Sequence, residues 1–425
     1  MSIFLTVIVF SVLVFVHEFG HFIMAKKNGI GVVEFSIGMG PRLIKFQKGD
    51  TMYSWKLVPF GGACQMLGDD EDVEDNDKAF NNASVWARIV VLAAGPAFNF
   101  ILAFVLSIII IGTMGYDPCF LVDVEEGTPV AEAGLKKGDV ITEFNGEKIV
   151  ISRDLFLTMY CEPLTGKDVT IKYERDGKEH ETKVTPAEKY TMGVNFYADD
   201  KEAEITGVVD GSSVAKAGIQ TGDVIVELAG QKIESGKQVA EYLDESPLTG
   251  EKISIKVKRG DEIIEKNIKP GKTYTINIAY NSGRVKTDAL GTLRYSFTEM
   301  RYDTESVFKS LKLLITGKLG MNNVSGPVGI ANIVDDAYQE TKSEGAFLVF
   351  INMAYLTVLF SVNLGVMNLL PFPALDGGRL IFCFIEVIRR KPVPKEKEAV
   401  VHMIGMAILM IFMVFVLFND IKKIL

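Results

Sequence analysis

The chain has 425 residues, 48% of them hydrophobic, with 54 acidic against 45 basic side chains. A net charge of −9 and the lack of any long basic tract exclude a nucleic-acid binder. The apolar residues are bunched into membrane-length runs and mean hydropathy is +0.22, which excludes one large soluble globule and points to a polytopic membrane protein.

The first apolar run, about 3–25, is long enough to span about 30 Å of hydrocarbon. It has no basic leader and no small-residue cleavage pattern, so it reads as a retained helix and not a signal peptide. Inside it lies Val16-His17-Glu18-Phe19-Gly20-His21. His17 and His21 share one helical face and can grip one Zn²⁺, and Glu18 is placed to act as general base. An anchor helix has no use for three such groups, whose burial costs on the order of several kcal/mol. Lys26 and Lys27 mark the cytoplasmic exit. The metal then lies roughly 8–14 Å below that face.

Residues 32–66 are aromatic, β-branched and broken by Gly38, Gly40, Pro59, Gly61 and Gly62. They read as short strands and hairpins, either semi-immersed beside the metal or lying on the surface as a lid. The acidic run from Asp69 to Asp75 reads as a solvated loop. A second span, about 85–111, carries Gly95-Pro96 and Asn99; the asparagine either packs between helices or faces the active-site cavity.

Residues 118–280 hold an internal repeat at an offset of 84. Gly127–Ile141 recurs as Gly211–Ile225, which places Gly134, Gly138 and Asp139 against Gly218, Gly222 and Asp223. The two β-rich copies, 118–200 and 201–280, resemble PDZ domains of the bacterial protease type, which bind an extended peptide as an added strand. A purely steric role fits equally well. Gly193 of the first copy becomes Asn277 in the second; in a peptide-binding loop, that change would leave the second copy unable to hold peptide ends. Cys119 and Cys161 fall in one module and are candidates to pair.

Residues 281–345 read as an amphipathic linker on the membrane surface. A third span, about 346–370, runs into Asn368…Pro371-Phe372-Pro373-Ala374-Leu375-Asp376-Gly377-Gly378, and a fourth covers about 402–418. A helix broken by two prolines at membrane depth is tolerated where it lines a cavity. A catalytic zinc takes three protein ligands. The candidates for the third are Asp376, His402, Glu34 and Glu386. Asp376 leads, being charged, beside the break, and next to two glycines that allow close backbone approach. Asn368 and Asn99 are candidates to stabilise an oxyanion. Lysine and arginine placement puts loops 26–84 and 389–397 inside, and both termini and the repeated modules outside.

Together, His17-Glu18-x-x-His21, Ala94-Gly95-Pro96-x-x-Asn99 and Asn368…Pro371…Leu375-Asp376-Gly377 resemble the site-2 protease family of intramembrane zinc metalloproteases, in its RseP-like bacterial branch. Phe35–Pro41 and Gly326–Ile330 resemble further signatures of it. The resemblance implies one Zn²⁺ per chain on His17, His21 and Asp376, with Glu18 as base and Asn368 in support. It implies a membrane-reentrant β element at 36–66 that engages substrate, and tandem PDZ modules acting as a size filter. The implied substrates are single-span membrane proteins, such as anti-sigma factors trimmed first by a site-1 protease, and remnant signal peptides. The rival readings are an inactive membrane-bound PDZ scaffold or chaperone with a structural metal, and a metal transporter.

Overall fold

A computed structural model of the chain describes residues 2–69, 76–209, 211–281, 283–320 and 324–424. The chain divides into two compact units: Met1–Tyr116, Arg284–Thr316 and Met321–Leu425 form the first, and Asp117–Gly283 with Gly317–Gly320 the second.

The first unit contains the helices α1 (Ser2–Lys27), α2 (Val85–Met114), α3 (Ala289–Ile315), α4 (Pro327–Thr341), α5 (Ala346–Leu369), α6 (Asp376–Arg389) and α7 (Lys395–Ile424). Among the described residues, four of them (α1, α2, α5 and α7) are long and apolar enough to cross a membrane. Small residues let these helices touch. A Cβ on Gly20 of α1 would lie 2.4 Å from the Ala94 carbonyl oxygen of α2, so only glycine fits there. Ala103 and Ile110 of α2 pack on Val358, Val362 and Val366 of α5. Ser361 Oγ donates to the Asn99 carbonyl at 2.8 Å, tying the same two helices.

The linker between the modules and the third span is not a surface helix alone. α3 is 27 residues long, and Val307 and Leu311 pack into the α2–α5 core. The Phe297 ring lies 4.4 Å, centre to centre, from the Phe104 ring of α2, tilted by 39°. The face that α3 buries is mostly polar, Ser296, Glu299 and Asp303 with Val307, while Leu290, Phe297, Phe308 and Ile315 are exposed.

Two long strands, β1 (Val32–Lys48) and β2 (Thr51–Met66), replace the series of short hairpins that the composition suggests. Each folds back on itself. Phe35 faces Cys64 on one side and Tyr53 on the other, while Phe46 also faces Tyr53. The result is a small sheet in the order 62–66, 32–37, 52–55, 44–48. Gly38 (φ +85°) and Gly61 (φ +83°) sit at the folds; a Cβ on Gly38 would lie 2.5 Å from the Val58 carbonyl oxygen. Glu34, buried in the sheet, accepts from Arg42 at 2.7 and 3.0 Å and from Ser54 at 2.5 Å. The Arg42 guanidinium holds its carboxyl down at about 2. Of the acidic run, Asp69 is not simply solvated: Arg379 donates to it at 3.0 Å. The rest of that run lies outside the described residues.

In the second unit the two repeats form two cores, but the modules do not end where the repeats do. The strand Ala279–Asn281, at the end of the second repeat, pairs with Phe120–Asp123 of the first. Val194–Phe196, at the end of the first repeat, pairs with Ile205–Val208 of the second. Ile276 and Ile278 accordingly sit in the first core, and Met192 and Val194 in the second. The boundary at 200/201 therefore separates repeats and not folded modules. The exchange also reverses the glycine comparison. Asn277 (φ +50°) lines a cleft of about 380 Å³ in the first module, with Met159, Leu164 and Tyr274, whereas Gly193 packs against Ser212 of the second.

Asp139 and Asp223 play matching structural parts. Each is 1% exposed and accepts an arginine Nε at 2.6 Å, from Arg175 and Arg259. The same arginines donate to the carbonyls of Gly134 and Gly218 at 2.9 Å. Gly138 and Gly222 turn the chain at φ of +91° and +89°. Cys119 and Cys161 form no disulfide with each other. Burial, helped by Asp117 and Asp154, pushes the Cys119 thiol up to about 12.

Strand exchange makes a direct prediction. Ile276 is 1% exposed, so Ile276→Ala should cost about 2–5 kcal/mol. Amide exchange should rise in strands Phe120–Asp123 and Val140–Phe144 of the first module, and not in Val224–Leu228 of the second.

Candidate metal centre

The helical repeat places His17 and His21 one turn apart on α1, both buried, with their Nε2 atoms 3.3 Å apart. The chain brings a carboxylate to them from more than 350 residues away. α6 packs on α2 through Leu380 and Cys383 against Val91 and Leu92, and Arg88 pairs with Glu386 at 2.6 Å. That packing sets the first residue of α6, Asp376, beside α1. Gly377 and Gly378 permit it. Side chains there would lie 2.2 Å from the Leu370 oxygen and 2.4 Å from the Phe372 oxygen of the incoming loop.

Asp376 Oδ2 is 3.2 Å from His17 Nε2 and 3.4 Å from His21 Nε2. Atoms bound at about 2.0–2.1 Å to one tetrahedral zinc lie about 3.3–3.4 Å apart. The three atoms thus stand at the separations a single zinc requires. Asp376 Oδ2 is buried without a hydrogen-bond partner among the described residues, as an atom reserved for a metal should be. Among the described residues, His17, His21 and Asp376 form the one His/Cys/Asp/Glu group able to hold an ion. The other candidates for third ligand are committed elsewhere: Glu34 to Arg42, Glu386 to Arg88, and His402 to the Ala374 amide.

The outer contacts orient both rings. His21 Nδ1–H donates to the Val91 carbonyl at 2.8 Å, which leaves Nε2 bare. The Asn99 side-chain amide lies 3.1 Å from His17 Nδ1. Its oxygen and nitrogen ends have the same shape, so chemistry decides which one faces the ring. A metal on Nε2 leaves the proton on Nδ1, which calls for the oxygen. Asn99, fully buried, stands behind a ligand and does not line the cavity as the alternative reading had it. Gly95 leaves room for both rings, since a Cβ there would lie 2.3 Å from His21 Nε2 and 2.9 Å from His17 Cε1. Gly95→Val should therefore leave purified protein without stoichiometric zinc, measured by elemental analysis, while its helical content stays unchanged.

Glu18 Oε2 accepts the Cys64 backbone N–H at 2.9 Å. A Cβ on Gly62 would lie 3.3 Å from Glu18 Cγ, so strand 62–66 runs directly beside this carboxylate. Of the hairpin residues singled out from sequence, Gly62 abuts Glu18; Gly38, Gly40 and Gly61 all take positive φ where the strands fold. Pro59 lies within β2. Asn368 is half-buried in the last turn of α5 and takes no part in the described hydrogen bonds around the three ligands. The Val91 carbonyl and the Cys64 amide escaped sequence reasoning because backbone groups leave no residue-type signature.

A family model, Peptidase family M50, matches residues 5–412. The zinc metalloprotease RasP of Bacillus licheniformis is 31% identical over 98% of each chain. RasP of Shouchella clausii is 31% identical over 98% of this chain and 97% of its own. The regulator of sigma-W protease RasP of Bacillus subtilis is 29% identical over the same shares.

Proposed function

Since the chain belongs to peptidase family M50, we propose that its three converging ligands and Glu18 cleave peptide bonds within or near the spans of single-span membrane proteins. It is a zinc metalloprotease of the intramembrane type. The observation that carries the site assignment is the set of ligand separations, 3.2, 3.3 and 3.4 Å, inside a helix bundle of membrane length.

In this assignment His17, His21 and Asp376 hold the ion. Zinc there supplies Lewis acidity, polarising a scissile carbonyl and acidifying water. Glu18 takes the proton from the attacking water and passes it to the leaving amine. Asn99 and the Val91 carbonyl keep the two imidazoles in the ligating tautomer.

A substrate helix in lipid conceals its carbonyls in its own hydrogen bonds, so it must unwind and find new partners before attack. Strand 62–66 is an edge of the sheet and lies beside Glu18, which suits it to pair with the unwound segment. Cys64→Pro removes the edge N–H that Glu18 holds here and that a pairing substrate strand would take over. Cleavage should fall about 3–10-fold with zinc retained; unchanged cleavage would refute strand pairing here.

The repeated modules are assigned as PDZ domains on the extracytoplasmic side with both termini, following the basic clusters at 26–27 and 389–397. There they screen substrates already trimmed by a site-1 protease. The B. subtilis relative is a regulator of sigma-W, which makes anti-sigma factors the substrate class to try first. The test is cleavage of a panel of single-span substrates by purified protein. Chelation should abolish it and added zinc restore it; cleavage that survives metal removal would overturn the assignment.

A further inference from the structure

α7 is the least enclosed of the four apolar helices, and most of its side chains face away from the protein. Among the described residues, one of its anchorages is the loop that carries Asp376. The Ala374 N–H donates to His402 Nδ1 at 2.9 Å. One turn on, Gly405 lies against Pro373, where a Cβ would come within 2.5 Å of the proline oxygen. Another anchorage is at the far end, where Asp420 accepts the amides of Gly326 and Gly329 at 3.1 and 2.9 Å.

Ala374 is not an ordinary loop residue. Its φ is +79°, a conformation that L side chains rarely adopt and that needs surrounding contacts to persist. It stands two residues before Asp376, between the proline break and the first turn of α6. The His402 bond and the Gly405 contact hold that conformation from outside. Because Nδ1 accepts, His402 is neutral with its proton on Nε2, where Glu398 Oε1 lies 3.7 Å away. The ring also lies 5.6 Å from the Phe382 ring of α6.

We propose that His402 is a positioning residue for the metal centre: it fixes the Pro373–Ala374 turn and thereby sets the Asp376 carboxylate opposite the two imidazoles. The inference rests on the ligand assignment above. It gives α7 a part in the site, although α7 supplies no ligand.

The test uses the full chain in detergent, with His402→Leu, His402→Asn and His402→Gln. Asparagine can present an oxygen near the place of Nδ1; glutamine, a methylene longer, reaches past it. His402→Leu should lower zinc affinity about 10–100-fold in competition with a chelator, the range for lost outer-shell partners. It should lower kcat, leave KM near the parent value, and speed amide exchange across 370–378 in metal-free protein. His402→Asn should restore most of each; His402→Gln should not. Parent-like zinc affinity and exchange in His402→Leu would overturn the proposal. Should that variant fail to fold, the other two decide: equal behaviour of Asn and Gln overturns it. An Asp376→Asn control separates the two readings. If that control loses zinc while His402→Leu keeps it, positioning alone has failed; if the control keeps zinc, the ligand assignment has.

Discussion

Replacing Glu18 by glutamine is expected to lower turnover by about 10²–10⁴-fold while zinc stays bound at one per chain. The amide keeps the length and shape of the side chain and still offers an oxygen to the Cys64 N–H, so the contact between α1 and the β sheet survives. The His17, His21 and Asp376 atoms are untouched. What disappears is the carboxylate assigned to take a proton from water and return it to the amine. KM should change little, because Glu18 acts on the reacting atoms and not on the bulk of the substrate helix. The same variant separates a protease from an inactive scaffold: a protein whose metal is structural loses nothing on this substitution. A kcat within about threefold of the parent would remove Glu18 from the chemistry.

The chemistry was legible in the sequence because it rests on spacing within single elements. Two histidines four apart in an apolar run need nothing beyond helical geometry, and the double proline before Asp376 announces a break wherever it folds. The long helices α1, α2 and α5 were legible for a similar reason, since an uninterrupted apolar run at membrane depth has few alternatives to a helix. The β region was harder. Its glycines marked turns, but folding both strands double depends on which backbone meets which, as at Gly38 and the Val58 carbonyl. The modules failed differently. An offset of 84 places the copies, yet either copy of an equivalent strand satisfies either core, and only tertiary pairing decides that Ile278 serves the first and Val194 the second. Ala94-Gly95-Pro96 read as helix packing because nothing in the sequence tells that the atoms needing the space belong to two imidazoles.

Asp376→Asn should cost about 10²–10³-fold in zinc affinity. Structural sites with four ligands bind zinc with apparent energies of about 10–16 kcal/mol, or about 2.5–4 kcal/mol for each ligand, and each 1.4 kcal/mol is tenfold. Asparagine fills the same space and can still begin α6, so the packing of Leu380 and Cys383 on α2 should hold. The neutral amide oxygen is a far weaker ligand than a carboxylate, and it leaves the charge of the ion uncompensated in a site with little water. Neutralising Asp376 also weakens the electrostatic tie between α1 and the loop after α5, since its Oδ2 lies 3.2 and 3.4 Å from the two Nε2 atoms. Cleavage should therefore vanish at chelator concentrations the parent tolerates and return in part at high zinc, unlike Glu18→Gln, which no amount of zinc should rescue. A variant that keeps parent-like affinity would show that the carboxylate contributes no bond to the ion. The pair of imidazoles alone would then have to hold it, and the two-helix geometry proposed for this enzyme would fail.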